Sequence, residues 1–194
     1  MALPRYQVTL QDQSGSIGQA ELTEATQDDM PSLKRGECEF YWESFWEKAD
    51  FQYQAIVKLT LNGKCLGLVH FSAFNDSVED IKELKNKSPE YIFIDYLERI
   101  DKQTSYKPVG LWLIWYVVNM ALSLCTGDCH ETLILLHSLS EAIPYYEKQV
   151  MMEGMNWVTL APGEEGYAFR FTKQGAKQFC DRIQQRYRPA KFFE

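Results

Sequence analysis

Two carboxylates stand in a short, otherwise largely apolar stretch, YIFIDYLERI (91–100). Its β-branched and aromatic residues fit a strand. Alternation puts Ile92, Ile94, Tyr96 and Glu98 on one face, and Phe93, Asp95, Leu97 and Arg99 on the other. Burying an unpaired carboxylate is costly, so Asp95 and Glu98 are each expected to have a partner or to open onto a cleft. Arg99, two steps along the same face, is a plausible structural partner for Asp95. A polar loop follows, DKQTSYKPVG (101–110), and then a long apolar segment beginning at Leu111. A loop that feeds a helix in this way aims backbone N–H groups outward, where a phosphate can sit.

Other reactive residues form weaker patterns. Trp42, Phe45 and Trp46 recur at helical spacing, with Phe40 and Tyr41 beside them, and either pack on a sheet or line a pocket. Glu39, Glu43 and Glu47 recur every four residues, as a solvated face or as a stripe offered to an amine. His70 lies inside an apolar run, which fits packing better than catalysis. Cys125, Cys129 and His130 are close in sequence, but the paired spacing and the fourth ligand of a zinc site are missing, so no metal is expected. Nucleophile elbow, P-loop and dinucleotide fingerprint are all absent from the sequence.

The elements that must hold these residues read in order. Residues 6–10 alternate as a first strand, and 11–32 form a polar loop or a strand pair around Gly15 and Gly18. Residues 33–50 look helical. Two apolar runs, 52–61 and 65–74, flank Asn62-Gly63, the strongest short hairpin signal. A helix is expected over 78–87, with Ser77 or Asp76 as cap. The centre is a strand–helix–strand unit: 91–100, the apolar helix 111–124, and 131–138. A helix over 141–154, capped at Ser138 or Ser140 and ending at Gly154, leads to a hairpin at Pro162-Gly163 and a last helix over about 174–188. The helix 111–124 is apolar all round, so both its faces should be covered, by the rest of the chain or by a second subunit. The tail, PAKFFE, docks on this domain or on a partner.

The chain has 194 residues and a formal net charge of −7. That length suits one domain, 1–194, with a full core. An acidic chain does not favour nucleic acid, whose phosphates need a basic surface. Five cysteines, an odd number without regular spacing, suit reduced thiols in the cytoplasm. No stretch reads as a secretory signal or as a full membrane span, so no membrane partner is expected.

From Tyr91 to Met155 the chain resembles the GNAT superfamily of acyl-CoA N-acyltransferases. That family has Tyr, then Arg or Gln, two loose positions, and Gly-x-Gly or Gly-x-Ala at its loop–helix junction. The matching stretch is Tyr106-Lys107-Pro108-Val109-Gly110-Leu111-Trp112: Tyr106 and Gly110 match, Lys107 keeps the charge, and Trp112 stands where Gly or Ala is usual. Ala142, Tyr146-Glu147-Lys148 and Gly154-Met155 follow the order of the family's later helix. The resemblance implies an α/β (α+β) fold: a mixed, mostly antiparallel central sheet with a central parallel strand pair, flanked by helices. It implies acetyl-CoA or another acyl-CoA as cofactor, held by Leu97, Arg99, Ile100, Lys107, Val109, Gly110, Leu111 and Trp112. It implies Tyr146 as general acid, with Tyr145 the other candidate, and Glu98 as general base. Trp42, Phe45 and Trp46 would line the site of an amine acceptor, on a small molecule or a protein.

Two functions remain open. Tyr106, Gly110 and Tyr146-Glu147-Lys148 favour an N-acyltransferase. The apolar helix, the basic last helix and the apolar tail favour an inactive relative that binds ligands or proteins, possible as a homodimer through 111–124. Trp112 bears on both. An indole pointing into the cleft covers the loop's N–H groups; an indole turned onto the sheet leaves them free. Weak or absent acetyl-CoA binding is expected in the wild type, with a gain on Trp112→Gly and some stability lost with the indole.

Overall fold

The computed structural model of the protein describes residues 3–75, 88–125 and 131–193. The helix expected over 78–87, and Gly127, Cys129 and His130, lie outside them. In chain order the elements are β1 (Arg5–Gln11), β2 (Ile17–Glu24), α1 (Trp42–Lys48), β3 (Gln54–Leu61), β4 (Lys64–Phe74), β5 (Tyr91–Glu98), α2 (Val109–Leu124) and β6 (Thr132–Leu139). A 3-10 turn over Ser140–Ala142, an α-turn over Ile143–Tyr145 and a π-helical stretch over Tyr146–Val150 follow one another and are together called α3. Then come β7 (Glu153–Ala161), β8 (Glu164–Thr172), α4 (Lys173–Tyr187) and β9 (Lys191–Phe193).

The strands follow the order β7-β8-β6-β5-β4-β3-β2-β1-β9 in one mixed sheet. β5 and β6 are its parallel pair, with Ile92 opposite Ile134 and Ile94 opposite Leu136. The pairs β1–β2, β2–β3, β6–β8 and β7–β8 are antiparallel. The expected fold class, with its central parallel pair, is the one observed.

The chain divides into two compact units. One comprises Met1–Phe71, Tyr96–Tyr116 and Ile183–Glu194, the other Ser72–Asp95 and Val117–Arg182. In the first, Asn62 and Gly63 take positive φ of 52° and 76°, which a two-residue turn needs to match the twist of β3 and β4. Its core gathers Trp42, Ile56 and Leu68 with Ala25, Met30 and Cys38. Gly67 of β4 lies where the start of α2 crosses closest. A Cβ there would meet Val109 Cγ1 at 2.8 Å and the Glu98 carbonyl oxygen at 2.9 Å, so only glycine lets α2 sit this near. In the second unit, Ile92, Ile134, Leu136, Phe169 and Phe171 are buried on neighbouring strands.

Several boundaries differ from the sequence reading. In the segment 11–32 the strand-pair alternative holds: β2 pairs with β1 across a turn where Asp12 accepts hydrogen bonds from the backbone N–H groups of Ser14 and Ser16. The helix read over 33–50 is only α1, because Gly36 takes positive φ and ends a short turn at Leu33–Arg35. α3 stops at Val150 and not at Gly154. Met151 is left-handed at φ 63°, and the Met152 N–H closes on the Tyr146 carbonyl at 3.0 Å. Gly154 lies in β7, opposite Phe169. The tail docks on this chain: Lys191–Phe193 forms β9 against β1.

The residues from Trp112 to Val118, nearly two helical turns, are all buried within one chain. Both faces of this stretch are therefore covered without a second subunit, and the burial argument for a homodimer through α2 is met by the chain itself. Among the described residues no helix is long and apolar enough to cross a membrane.

Candidate functional site

In the first unit, the end of β5 is organised by Glu98. Its carboxylate accepts hydrogen bonds from the backbone N–H of Glu39 at 2.6 Å, the backbone N–H of Phe40 at 3.3 Å and the indole Nε1 of Trp42 at 2.7 Å. Three donors converge on one buried carboxylate, which meets the cost of burying it. Beside it, burial and the nearby Glu98 and Glu37 carboxylates push the Cys38 thiol up to about 11, so it stays a thiol at neutral pH. Glu98 thus ties the segment before α1 to β5.

The three aromatics of α1 separate. Trp42 is in the core on Glu98. Phe45 stacks on Tyr96 with ring centroids 3.9 Å apart. Trp46 lines a cleft of about 460 Å³ with Met30, Leu33, Tyr41, Glu43 and Glu47. Of the three side chains expected at an acceptor site, Trp46 lines this cleft and the other two build its support. The glutamate stripe contributes Glu43 and Glu47 to the same cleft.

The loop between β5 and α2 is held from several sides. The Arg99 guanidinium donates to the carbonyl oxygens of Asp101 and Thr104. Asp101 is ion-paired with Lys64 at 2.8 Å and accepts from the Gln103 N–H, which together hold its carboxyl below the usual range. Lys107 exchanges two backbone hydrogen bonds with Gln11 of β1, both 2.9 Å. The expected pairing of Arg99 with Asp95 is not made: Arg99 spends its donors on the loop.

At the helix start the indole of Trp112 is fully buried, and its Nε1 donates to the Thr9 carbonyl of β1 at 2.9 Å. The indole therefore points inward, and the premise for weak cofactor binding is removed. The first-turn N–H groups of Val109, Gly110 and Leu111 have no partner within the helix. Pro108 brings no N–H, and that of Lys107 is taken by Gln11. These three adjacent donors stand at the positive end of the helix dipole, at the position where a cofactor cradle is expected.

In the second unit, Asp95 accepts a hydrogen bond from Ser72 Oγ of β4 at 2.6 Å. Burial raises its pKa to about 6, against the lowering effect of that bond. A carboxyl poised near neutrality is suited to proton transfer. Its linkage has a definite sign. The folded pKa lies above the ordinary 3.8, so this contribution to stability is present with the proton on and is lost as pH rises from about 4 through 6. Asp95→Asn is expected to be more stable than wild type at pH 7, by roughly 2 kcal/mol, and equal to it near pH 4. Denaturant melts of both proteins across that range check this. Comparing the two isolates Asp95 from His70, whose burial lowers its pKa to about 4 and gives the opposite slope.

Tyr146 is buried on α3, its ring against Phe169 and Tyr145 at 5.6 and 5.3 Å. Burial pushes the phenol up to about 12, so it keeps its proton through the physiological range. Sequence reasoning gave Asp95 a partner or a cleft, and named only Arg99 as the partner. Its Ser72 contact crosses strands and has no local signature. Among the described residues no group of three or more His, Cys, Asp or Glu side chains is placed to hold a metal.

No protein-family model matches the chain, and no curated protein does. Solved structures do match. An uncharacterized protein from Bacillus halodurans is similar at TM-score 0.65 and 12% identity, over 96% of this chain and 99% of its own. The aminoglycoside acetyltransferase AAC(6')-Ib, in complex with ribostamycin and coenzyme A, is similar at 0.56 and 15%, over 82% and 96%. A GNAT-family acetyltransferase from Bacillus cereus is similar at 0.50 and 11%, over 80% and 99%. The chain has the GNAT fold. In GNAT terms, β5 and β6 are the central parallel pair, and α2 is the helix whose start the resemblance assigns to the cofactor. The identities are low, so the likeness is one of backbone, and the chemistry rests on the residues described above.

Proposed function

We propose that this chain is an N-acyltransferase that moves an acetyl or other acyl group from acyl-CoA to an amine of a small molecule or protein. The observation that carries this reading is the inward pose of Trp112, which turns the indole away from the start of α2, where the N–H groups of Val109, Gly110 and Leu111 have no partner within the helix. Such a cradle suits a pyrophosphate. The coenzyme A bound by AAC(6')-Ib supports the same cofactor here.

The roles divide as follows. Arg99 positions the loop, and Lys107, exposed at its tip, adds charge. Leu97 and Ile100 border the pantetheine path. Asp95 takes the proton of the attacking amine. Glu98, with its oxygens occupied by three donors, serves as a positioning group. The amine nitrogen bonds to the thioester carbonyl carbon, the carbon–sulfur bond breaks, and Tyr146 supplies the proton to the leaving thiolate. Exchange with water then carries the proton off Asp95 and restores the one lost by the phenol. Trp46, with Glu43 and Glu47 set against Lys34, the one cation among the described residues of the cleft, suits an acceptor that carries positive charge.

The competing reading, an inactive interaction module, drew on the apolar helix, the basic last helix and the apolar tail. Residues 112–118 are buried and the tail is β9, so of these motives only the basic face of α4 persists. A screen of amines with acetyl-CoA, reading thiol release, tests the proposal. Turnover with a cationic amine is expected; binding of acetyl-CoA without turnover of any amine would return the module reading.

A further inference from the structure

β7 ends the sheet on one side, and its outer edge has no neighbouring strand among the described residues. Seven of its nine residues are exposed, on both faces. Its stretch from Gly154 to Ala161 contains no charged residue and no proline. Sheet edges of this length are usually blunted by lysine, proline or shortness, because a row of free N–H and C=O groups recruits another strand. The strand at the other end of the order, β9, is blunted in that way: it has three residues and begins with Lys191. Exposed apolar side chains gather at the same place. Of eight large exposed hydrophobics among the described residues, Met151, Met155 and Trp157 fall within seven positions, at 58%, 43% and 59% exposure.

We infer that the β7 edge is a self-association surface, where a second copy of this chain adds its own β7 antiparallel across a two-fold axis. An antiparallel edge is complementary to itself: each copy offers the donors and acceptors that the other lacks, and the pairing closes at two subunits. Charge selects the same occupant. A chain of net charge −7 repels its own copies over most of its surface. Gly154–Ala161 lets two copies meet without like charges facing, and Glu153, the carboxylate at its start, is already neutralised by Arg170 at 2.9 Å. The ladder with β8 slips between Gly154 and Trp157 and again between Thr159 and Ala161, so the unbroken pairing core is Trp157–Thr159. The indole of Trp157, edge-on to Tyr167 at 5.3 Å, stands at that core as the anchor.

Sedimentation equilibrium of the full chain over about 1–100 µM tests this. The expected result is a reversible dimer whose dissociation constant weakens about 30-fold or more in the double variant Met155→Lys, Trp157→Lys, as loss of an interface anchor predicts. Both side chains are exposed, so the variant should still fold and unfold cooperatively. Should it not fold, hydrogen exchange on the wild type decides: the amides of 154–161 should be protected at high concentration and exchange faster on dilution. A monomer throughout the range, a dimer of undiminished affinity in the folded variant, assembly beyond two copies, or exchange at 154–161 that ignores concentration would each overturn the proposal.

Discussion

Trp112→Gly loses about 3–5 kcal/mol of folding stability and gains no affinity for acetyl-CoA. The indole is fully buried in the first unit, edge-on to Trp115 at 5.4 Å, and donates to the Thr9 carbonyl. Removing it opens a cavity between α2 and β1, strands a carbonyl and places glycine in a helix. Domains are stable by about 5–15 kcal/mol, so the variant sits near the threshold of unfolding. The affinity half of the expectation follows from the pose, because an indole that does not cover the cradle cannot obstruct it. Calorimetric melting with a parallel binding titration checks both halves. A variant as stable as wild type, or one that binds acetyl-CoA more tightly, would show that the indole occupies the cleft.

Tyr146→Phe lowers the turnover rate by about 10²–10⁴, the range that general acid catalysis spans. Phenylalanine preserves the ring contacts with Phe169 and Tyr145, so folding should change by no more than about 1 kcal/mol. The loss is then chemical. Tyr145→Phe is the matched control, since Tyr145 is the adjacent phenol on α3 and the other candidate acid. The pH profile separates the roles further. With Asp95 near 6 and Tyr146 near 12, activity should rise as pH passes about 6 and show no phenol-linked fall below about pH 10. Equal loss in both tyrosine variants, or none in Tyr146→Phe, would remove the assigned acid.

Local chemistry made some of this legible. Asn62-Gly63 marked a hairpin because few residues accept two successive positive φ angles. The parallel pair β5–β6 was legible in the strand–helix–strand order and in the resemblance to the GNAT superfamily. What escaped depends on partners distant in the chain. The pose of Trp112 is decided by the Thr9 carbonyl, and Glu98 is claimed by N–H groups at 39, 40 and 42. Met151 ends α3 in a left-handed conformation that a methionine does not advertise. β9 exists because β1 has a free edge, which PAKFFE alone does not reveal. Asp95 was visible as an acid in an apolar strand, but Ser72 and the burial that raises its pKa belong to the assembled sheet.

Isothermal titration of the wild-type chain with acetyl-CoA tests the central claim, that the start of α2 is an open cofactor cradle. Three charge-assisted hydrogen bonds at about 1.5–3 kcal/mol each, offset by the cost of association, place the expected dissociation constant in the micromolar range, at one site per chain. No saturable heat up to about 1 mM acetyl-CoA would contradict the account.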